Sequence, residues 1–280
     1  MPHPSFSSRQ IGDFLVTALS DGNMTASLTL LSGIDSIDAE AIQRRAGVTV
    51  PGNIDISGYL IRGRGRTILV DAGTGGHNNA GGALTASLRL SGIRPEEVDT
   101  VLLTHAHPDH IGGLLNADGT LAYPNACLHL HPLEAEYWQN DRTLNQASER
   151  GRRNIALARR TLDAWAHRLR FLNDREVIEG IQPVWLPGHT PGHCGFRIGS
   201  ANESLLIWGD IVHFPPIQIT CPAVAIAFDC DPTQARITRE TLLAQVASEN
   251  LLVAGMHLGG SGFAHIVATS RGYRINYSAK

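Results

Sequence analysis

The 280-residue chain is short of the features that mark most specialised protein classes. It has only four cysteines, Cys127, Cys194, Cys221 and Cys230, and none belongs to a CxxC pair. A chain this long needs no disulfide to hold a core, so free thiols are expected, and with them a cytoplasmic location. No apolar run reaches the ~18 residues of a membrane span, and the opening MPHPSFSSRQIGDF has no basic stretch ahead of an apolar one. Charged residues make up 18% of the chain and the net charge is −3. There is thus no basic excess to attract nucleic acid. Glycine (29) and proline (14) fall short of a low-complexity composition, and no linker interrupts the chain. A single domain over 1–280 is expected.

What the chain does have is short apolar runs that end on glycine, aspartate or histidine. Tyr59–Ile61, Thr67–Val70, Val101–Leu103 and Leu205–Trp208 read as buried strands. Leu84, Leu88 and Leu90 mark a helix that stops at Ser91-Gly92. A long helical insertion is expected over about 132–170, with Leu133, Tyr137, Trp138, Ile155, Leu162, Trp165 and Leu169 on one side. Its arginines, among them Arg150, Arg152, Arg153, Arg159 and Arg160, read as a solvated face. A last helix over about 233–250 precedes the strand Leu251–Ala254. The region of about 21–53 reads as an irregular loop with a short helix near Ile37–Arg45.

Histidine is the one residue type present in an unusual number, with thirteen copies. Four of the strongest metal donors stand together in Thr104-His105-Ala106-His107-Pro108-Asp109-His110, directly after the strand that ends at Leu103. His105 and His107, two apart, can face the same side. Asp109 and His110 add an oxygen and a nitrogen, a donor set that suits zinc or another first-row metal. Three further candidates each follow a strand: His189 in Gly188-His189-Thr190-Pro191-Gly192-His193, Asp210 after Gly209, and His257 after Met256.

This HxHxDH run, with the later Gly-His, Gly-Asp and strand-terminal histidine, resembles the metallo-β-lactamase superfamily over roughly Asn53 to His265. The resemblance implies an α/β fold of the αββα sandwich type, two central sheets with helices on both outer faces. It also implies two divalent metal ions, zinc foremost, with manganese, cobalt or iron as alternatives. His105, His107 and His189 would hold one ion, and Asp109, His110 and His257 the other. Asp210 would bridge them, and Asp71, His193 and His265 would stand behind the ligands. Two such ions would share a bridging hydroxide, and Asp109 would shuttle a proton to the leaving group.

Within the superfamily, Leu121–Ala126, Gly188–His193, Met256–Leu258, Gly262–Ile266 and Gly272-Tyr273 are similar to the branch that holds methyl parathion hydrolase and the metallo-lactonases. This implies hydrolysis of lactones, aryl esters or organophosphate triesters: small, neutral, apolar substrates. Met24, Leu28, Phe214, Ile217, Ile219 and Phe228 are the expected pocket wall, and His213 is the expected oxyanion donor. Glutathione thioesters and phosphodiesters are the alternative substrates; Arg271, Arg274 and Lys280 are the few basic residues that a thioesterase could use near the C-terminus. A metal-binding module without activity is the non-enzyme alternative. A homodimer is compatible with the branch, with the insertion near Trp165 as its contact.

Overall fold

The computed structural model describes residues 6–200, 203–270 and 272–279; Arg271 and Lys280 therefore lie outside the described residues. Among these residues the fold is built on two large sheets. The first has seven strands in the order Ser8–Ile11, Phe14–Thr25, Asn53–Gly63, Arg66–Val70, Thr100–Leu102, Cys127–Leu130 and Leu169–Phe171. Its first four strands pair antiparallel and its last four parallel. The second runs Gly272–Tyr277, Phe263–Thr269, Leu252–Ala254, Glu203–Ile207, Cys194–Ser200 and Ile181–Trp185, with one parallel pair at its centre.

Alternation along the strands explains the layering. Ile61, Ile68, Val70 and Leu102 from the first sheet meet Phe196, Ile198, Leu205, Ile207 and Phe263 from the second in one buried cluster. The residues between them face outward. Leu60, Leu69, Val101 and Leu128 pack under the helices that carry Leu84, Leu88, Ile155, Leu162 and Trp165. Leu206, Val253 and Ala264 pack under Leu242, Leu243 and Val246 of the Pro232–Ser248 helix. Both faces of each sheet are covered, which is the αββα sandwich.

Two expectations need correction. The irregular region is shorter than 21–53, because the strand Phe14–Thr25 runs on through Asp21 and pairs as far as Met24 with Ile54 and Thr25 with Asn53. Ser20-Asp21-Gly22-Asn23 looks like a turn, but a bulge between Ser20 and Gly22 absorbs it. The buried Asp21 carboxylate accepts hydrogen bonds from Thr74 N, Thr74 Oγ1 and Leu84 N at 2.8–2.9 Å. The helical insertion is three helices, Pro132–Gln139, Asp141–Gln146 and Glu149–Trp165, and Leu169 already belongs to a strand. His131, Asn140 and Ser148 each cap the following helix with a side chain, and Asn140 and Ser148 have extended backbones that break the run. Trp165 itself is fully buried.

Candidate metal centre

Each candidate ligand follows a strand, and all gather on one edge of the sandwich. The Thr100–Leu102 strand leads into His105 and His107, and Pro108 starts a single helical turn, Pro108–Ile111, that carries Asp109 and His110. That turn packs against the loop after Val70 so closely that a Cβ on Gly112 or Gly113 would collide with the carbonyl oxygens of Thr74 and Ala72. His189 follows Ile181–Trp185, Asp210 follows Glu203–Ile207, and His257 follows Leu252–Ala254.

The donors fall into two adjoining sets. Nδ1 of His107 lies 2.9 Å from Nε2 of both His105 and His189, and those two are 3.2 Å apart. Asp109 Oδ2 lies 3.4 Å from Nε2 of both His110 and His257. Asp210 Oδ2 stands between the sets, 3.1 Å from His257, 3.2 Å from His110, 3.4 Å from His189 and 3.7 Å from His105. His105, His107 and His189 form one group able to hold an ion, and Asp109, His110, Asp210 and His257 form another.

The remaining nitrogen of most ligand rings is already committed, which fixes the nitrogen left for a metal. Asp71 Oδ2 takes His110 Nδ1 at 2.6 Å. The same carboxylate receives the Thr104 N–H and hydroxyl at 2.8 and 2.7 Å, and the Thr104 oxygen meets His105 Nδ1 at 3.0 Å. Asp229 Oδ1 holds His189 Nδ1 at 2.9 Å, and the Asp55 carbonyl oxygen holds His257 Nδ1 at 2.8 Å. His193 is committed at both nitrogens: Nδ1 donates to Leu186 O at 2.8 Å, and Nε2 accepts the Asp210 backbone N–H at 2.9 Å. It thus braces Asp210 and has no lone pair for an ion. His265 sits on the Phe263–Thr269 strand, and no described hydrogen bond or ring contact joins it to the ligands.

Burial and charge act differently on the individual rings, and the Asp210 and Asp229 carboxylates raise His189 to about 9 against its burial. Burial, helped by neighbouring imidazoles, holds His105 and His107 well below the ordinary histidine range, so both are neutral with free lone pairs. Burial also takes His193 down to about 3. Burial opposes protonation of His257 too, but the Asp210 and Asp109 carboxylates outweigh it and raise that ring to about 10. Two buried atoms in the centre, His110 Nε2 and Asp210 Oδ1, have no hydrogen-bond partner. Orphaned buried donors beside converging imidazoles and carboxylates are what divalent metals satisfy, so the residues fit such ions.

Two carboxylates that hold the site have no signature in the sequence. One is Asp229. The other is Glu134, fully buried on the Pro132–Gln139 helix. Its Oε1 accepts from Ala106 N and Trp138 Nε1 at 2.9 and 2.6 Å, and its Oε2 from Thr190 Oγ1 and Gly192 N at 2.6 and 3.1 Å. It therefore ties the His105–His107 loop to the His189 loop. Burial raises its pKa and these four bonds oppose the rise.

A cavity of about 990 Å³ opens over the donors. His213 lines it, with Nε2 3.3 Å from Asp210 Oδ2 and its ring stacked on His257; its Nδ1 has no partner. Of the expected wall, Met24 and Phe228 line the cavity. Leu28, Phe214, Ile217 and Ile219 do not. Phe214 and Ile217 are buried with Leu31 and Ile226, Leu28 packs against that cluster, and Ile219 is buried beside Leu242. Gln218 folds the loop inward by accepting from the His213 and Phe214 backbones at 2.7 and 3.1 Å. The helical segment supplies the other wall, including Tyr137, Trp138, Arg150 and Arg153, so part of the arginine face borders the cavity.

The family model of the metallo-beta-lactamase superfamily matches residues 52–257. The chain belongs to this superfamily. As a metallo-beta-lactamase superfamily member it has the fold and donor clusters of a metal-dependent hydrolase. The chain is 28% identical to the uncharacterized protein YobT of Bacillus subtilis (strain 168) over 162 residues, which are 57% of this chain and 63% of that protein. It is 27% identical to the probable metallo-hydrolase YqgX of the same organism over 58% of this chain and 68% of the other. Among solved structures, the hydrolase AbOPH of the beta lactamase superfamily superposes with a TM-score of 0.92 at 27% identity, covering 98% of each chain. AidC, a dizinc quorum-quenching lactonase in complex with a product, shares the fold, with a TM-score of 0.91 at 24% identity over 99% of this chain and 98% of the other. Among the described residues, no helix is long and apolar enough to cross a membrane.

Proposed function

We propose that this chain is a dinuclear metal hydrolase acting on lactones, aryl esters or organophosphate triesters, substrates uncharged at the bond that breaks. The observation that carries the reading is Asp210 Oδ2, set 3.1–3.7 Å from ligand nitrogens of both donor groups. His105, His107 and His189 would hold one ion, Asp109, His110 and His257 the other, and Asp210 both. Bound there, divalent ions polarise the substrate oxygen and lower the pKa of water toward neutrality.

The protein's own groups then account for proton transfer and orientation. Hydrolysis adds hydroxide at carbon or phosphorus, breaks the bond to the leaving oxygen, and returns a proton to that oxygen. Asp109 is the proton carrier: its side chain is 16% exposed, in contrast to the nearly closed Asp210, and lines the cavity. The neighbouring His110 and His257 outweigh its burial and hold it ionised. His213, which burial takes down to about 4, is a neutral ring on the cavity wall, and its single N–H, when turned from Asp210 to the substrate, would donate to a developing oxyanion. The four free cysteines accord with the cytoplasm. The likeness to AbOPH, a hydrolase of the beta lactamase superfamily, supports the hydrolase reading.

Metal analysis of active protein is expected to give two ions per chain, with kcat/KM higher for a lactone or phosphotriester than for a glutathione thioester or a phosphodiester. At most one ion in fully active protein refutes the dinuclear reading. Preference for the thioester or phosphodiester refutes the substrate class.

A further inference from the structure

The Glu149–Trp165 helix uses its arginines in different ways. Arg159 staples the segment together through Trp138 O, Gln139 O and Asp141 at 3.0–3.1 Å. Arg153 borders the cavity but is paired with Glu149 at 2.5 Å. Arg150 also borders the cavity and has no hydrogen bond or ion pair among the described residues. Its guanidinium lies 4.8 Å over the Phe228 ring. Phe228 is 5.7 Å from the His213 ring, and His213 Nε2 is 3.3 Å from Asp210. A guanidinium that rests its flat face on an aromatic ring keeps its edge N–H groups free for a planar, bidentate partner. The acidic residues that line the same cavity, Asp109, Asp210 and Asp229, are all engaged with histidines at its floor. The rim therefore offers an unneutralised cation on the same cavity as the donors.

We propose that Arg150 binds a carboxylate at the far end of the substrate, so that the site takes esters or lactones whose acyl chain ends in a free acid. The proposal rests on the hydrolase reading and refines it: the reacting bond is uncharged and the remote end is anionic. A carboxylate matches the guanidinium edge in shape and charge.

Two p-nitrophenyl esters of equal chain length separate the outcomes, the octanoate and the hemisuberate. Arg150→Gln is expected to lower kcat/KM for the hemisuberate about tenfold, or ~1.4 kcal/mol, mainly through KM. The octanoate should change by less than about twofold, as expected for loss of an exposed charge without a partner. Arg150→Lys, which keeps the charge but not the fork, should fall between. An equal loss on both esters, or no loss on either, overturns the proposal. Calorimetric binding of suberate to the metal-loaded protein gives a readout independent of turnover. Weaker binding to Arg150→Gln supports the subsite, and equal binding overturns it. Should neither ester be hydrolysed, the aryl-ester part of the hydrolase reading fails alone and the calorimetry still decides the role of Arg150.

Discussion

The floor and the rim of the cavity are built on opposite principles. At the floor, His105, His110, His189, His193 and Asp210 are at most 3% exposed, and each sits directly after a strand or on the turn that follows one. Every ring named there has a fixed partner. At the rim, three helices follow one another through capped breaks, and the side chains facing the cavity include the exposed Arg150 and Arg153. Sites built on strand ends hold geometry, whereas exposed side chains on capped helices can be exchanged without disturbing it. On the proposed reading, chemistry belongs to the floor and selectivity to the rim.

Removing the shared carboxylate should break this division most severely. Asp210→Ala is expected to lower occupancy of both ions and remove activity, as elemental analysis and turnover will show; retention of two ions would contradict the bridging role. His213→Ala comes next. Loss of an oxyanion donor typically costs on the order of 10² to 10³ in kcat, measured at equal metal content. An unchanged kcat would leave His213 as a wall residue.

A third change acts through a ligand's partner. Asp229→Ala frees His189 Nδ1, and such losses typically weaken metal affinity by about 10- to 100-fold, which a chelator competition will read. The smallest effect on the metal centre is expected from His193→Ala. The ion count should stay the same because His193 lends no lone pair. Thermal unfolding should register a loss of about 1–3 kcal/mol, since the Asp210 N–H loses its buried acceptor.

Much of the floor was legible in the sequence because its donors are spaced by local geometry. His105, His107, Asp109 and His110 form one continuous run, and His189, Asp210 and His257 each follow a short apolar run. The groups behind them were legible only where the resemblance supplied them. Asp71 was identified that way, and the structure places it on His110. Asp229 and Glu134 are single carboxylates in unremarkable contexts, and the groups of the ligand loops that they hold lie 28 to 58 residues away, so no spacing could reveal them. The pocket wall was misjudged for a related reason. Phe214, Ile217 and Ile219 are apolar and adjacent to Asp210 in sequence, but hydrophobicity alone does not distinguish a cavity lining from a core, and Gln218 turns that loop inward. The strand through Asp21 was hidden because a polar bulge resembles a turn until the carboxylate's partners are known.

Glu134 has a consequence for how the centre acquires its ions. His105 and His107 hang from one sheet and His189 from the other, so the first ion must join two layers of the sandwich. A single buried carboxylate already gathers four donors from those two loops and from its own helix. The two halves of the ligand set are thus latched together by protein hydrogen bonds alone. On the proposed reading, metal uptake would require little ordering of the chain, with the conformational entropy of assembling the first donor set spent during folding instead of at binding.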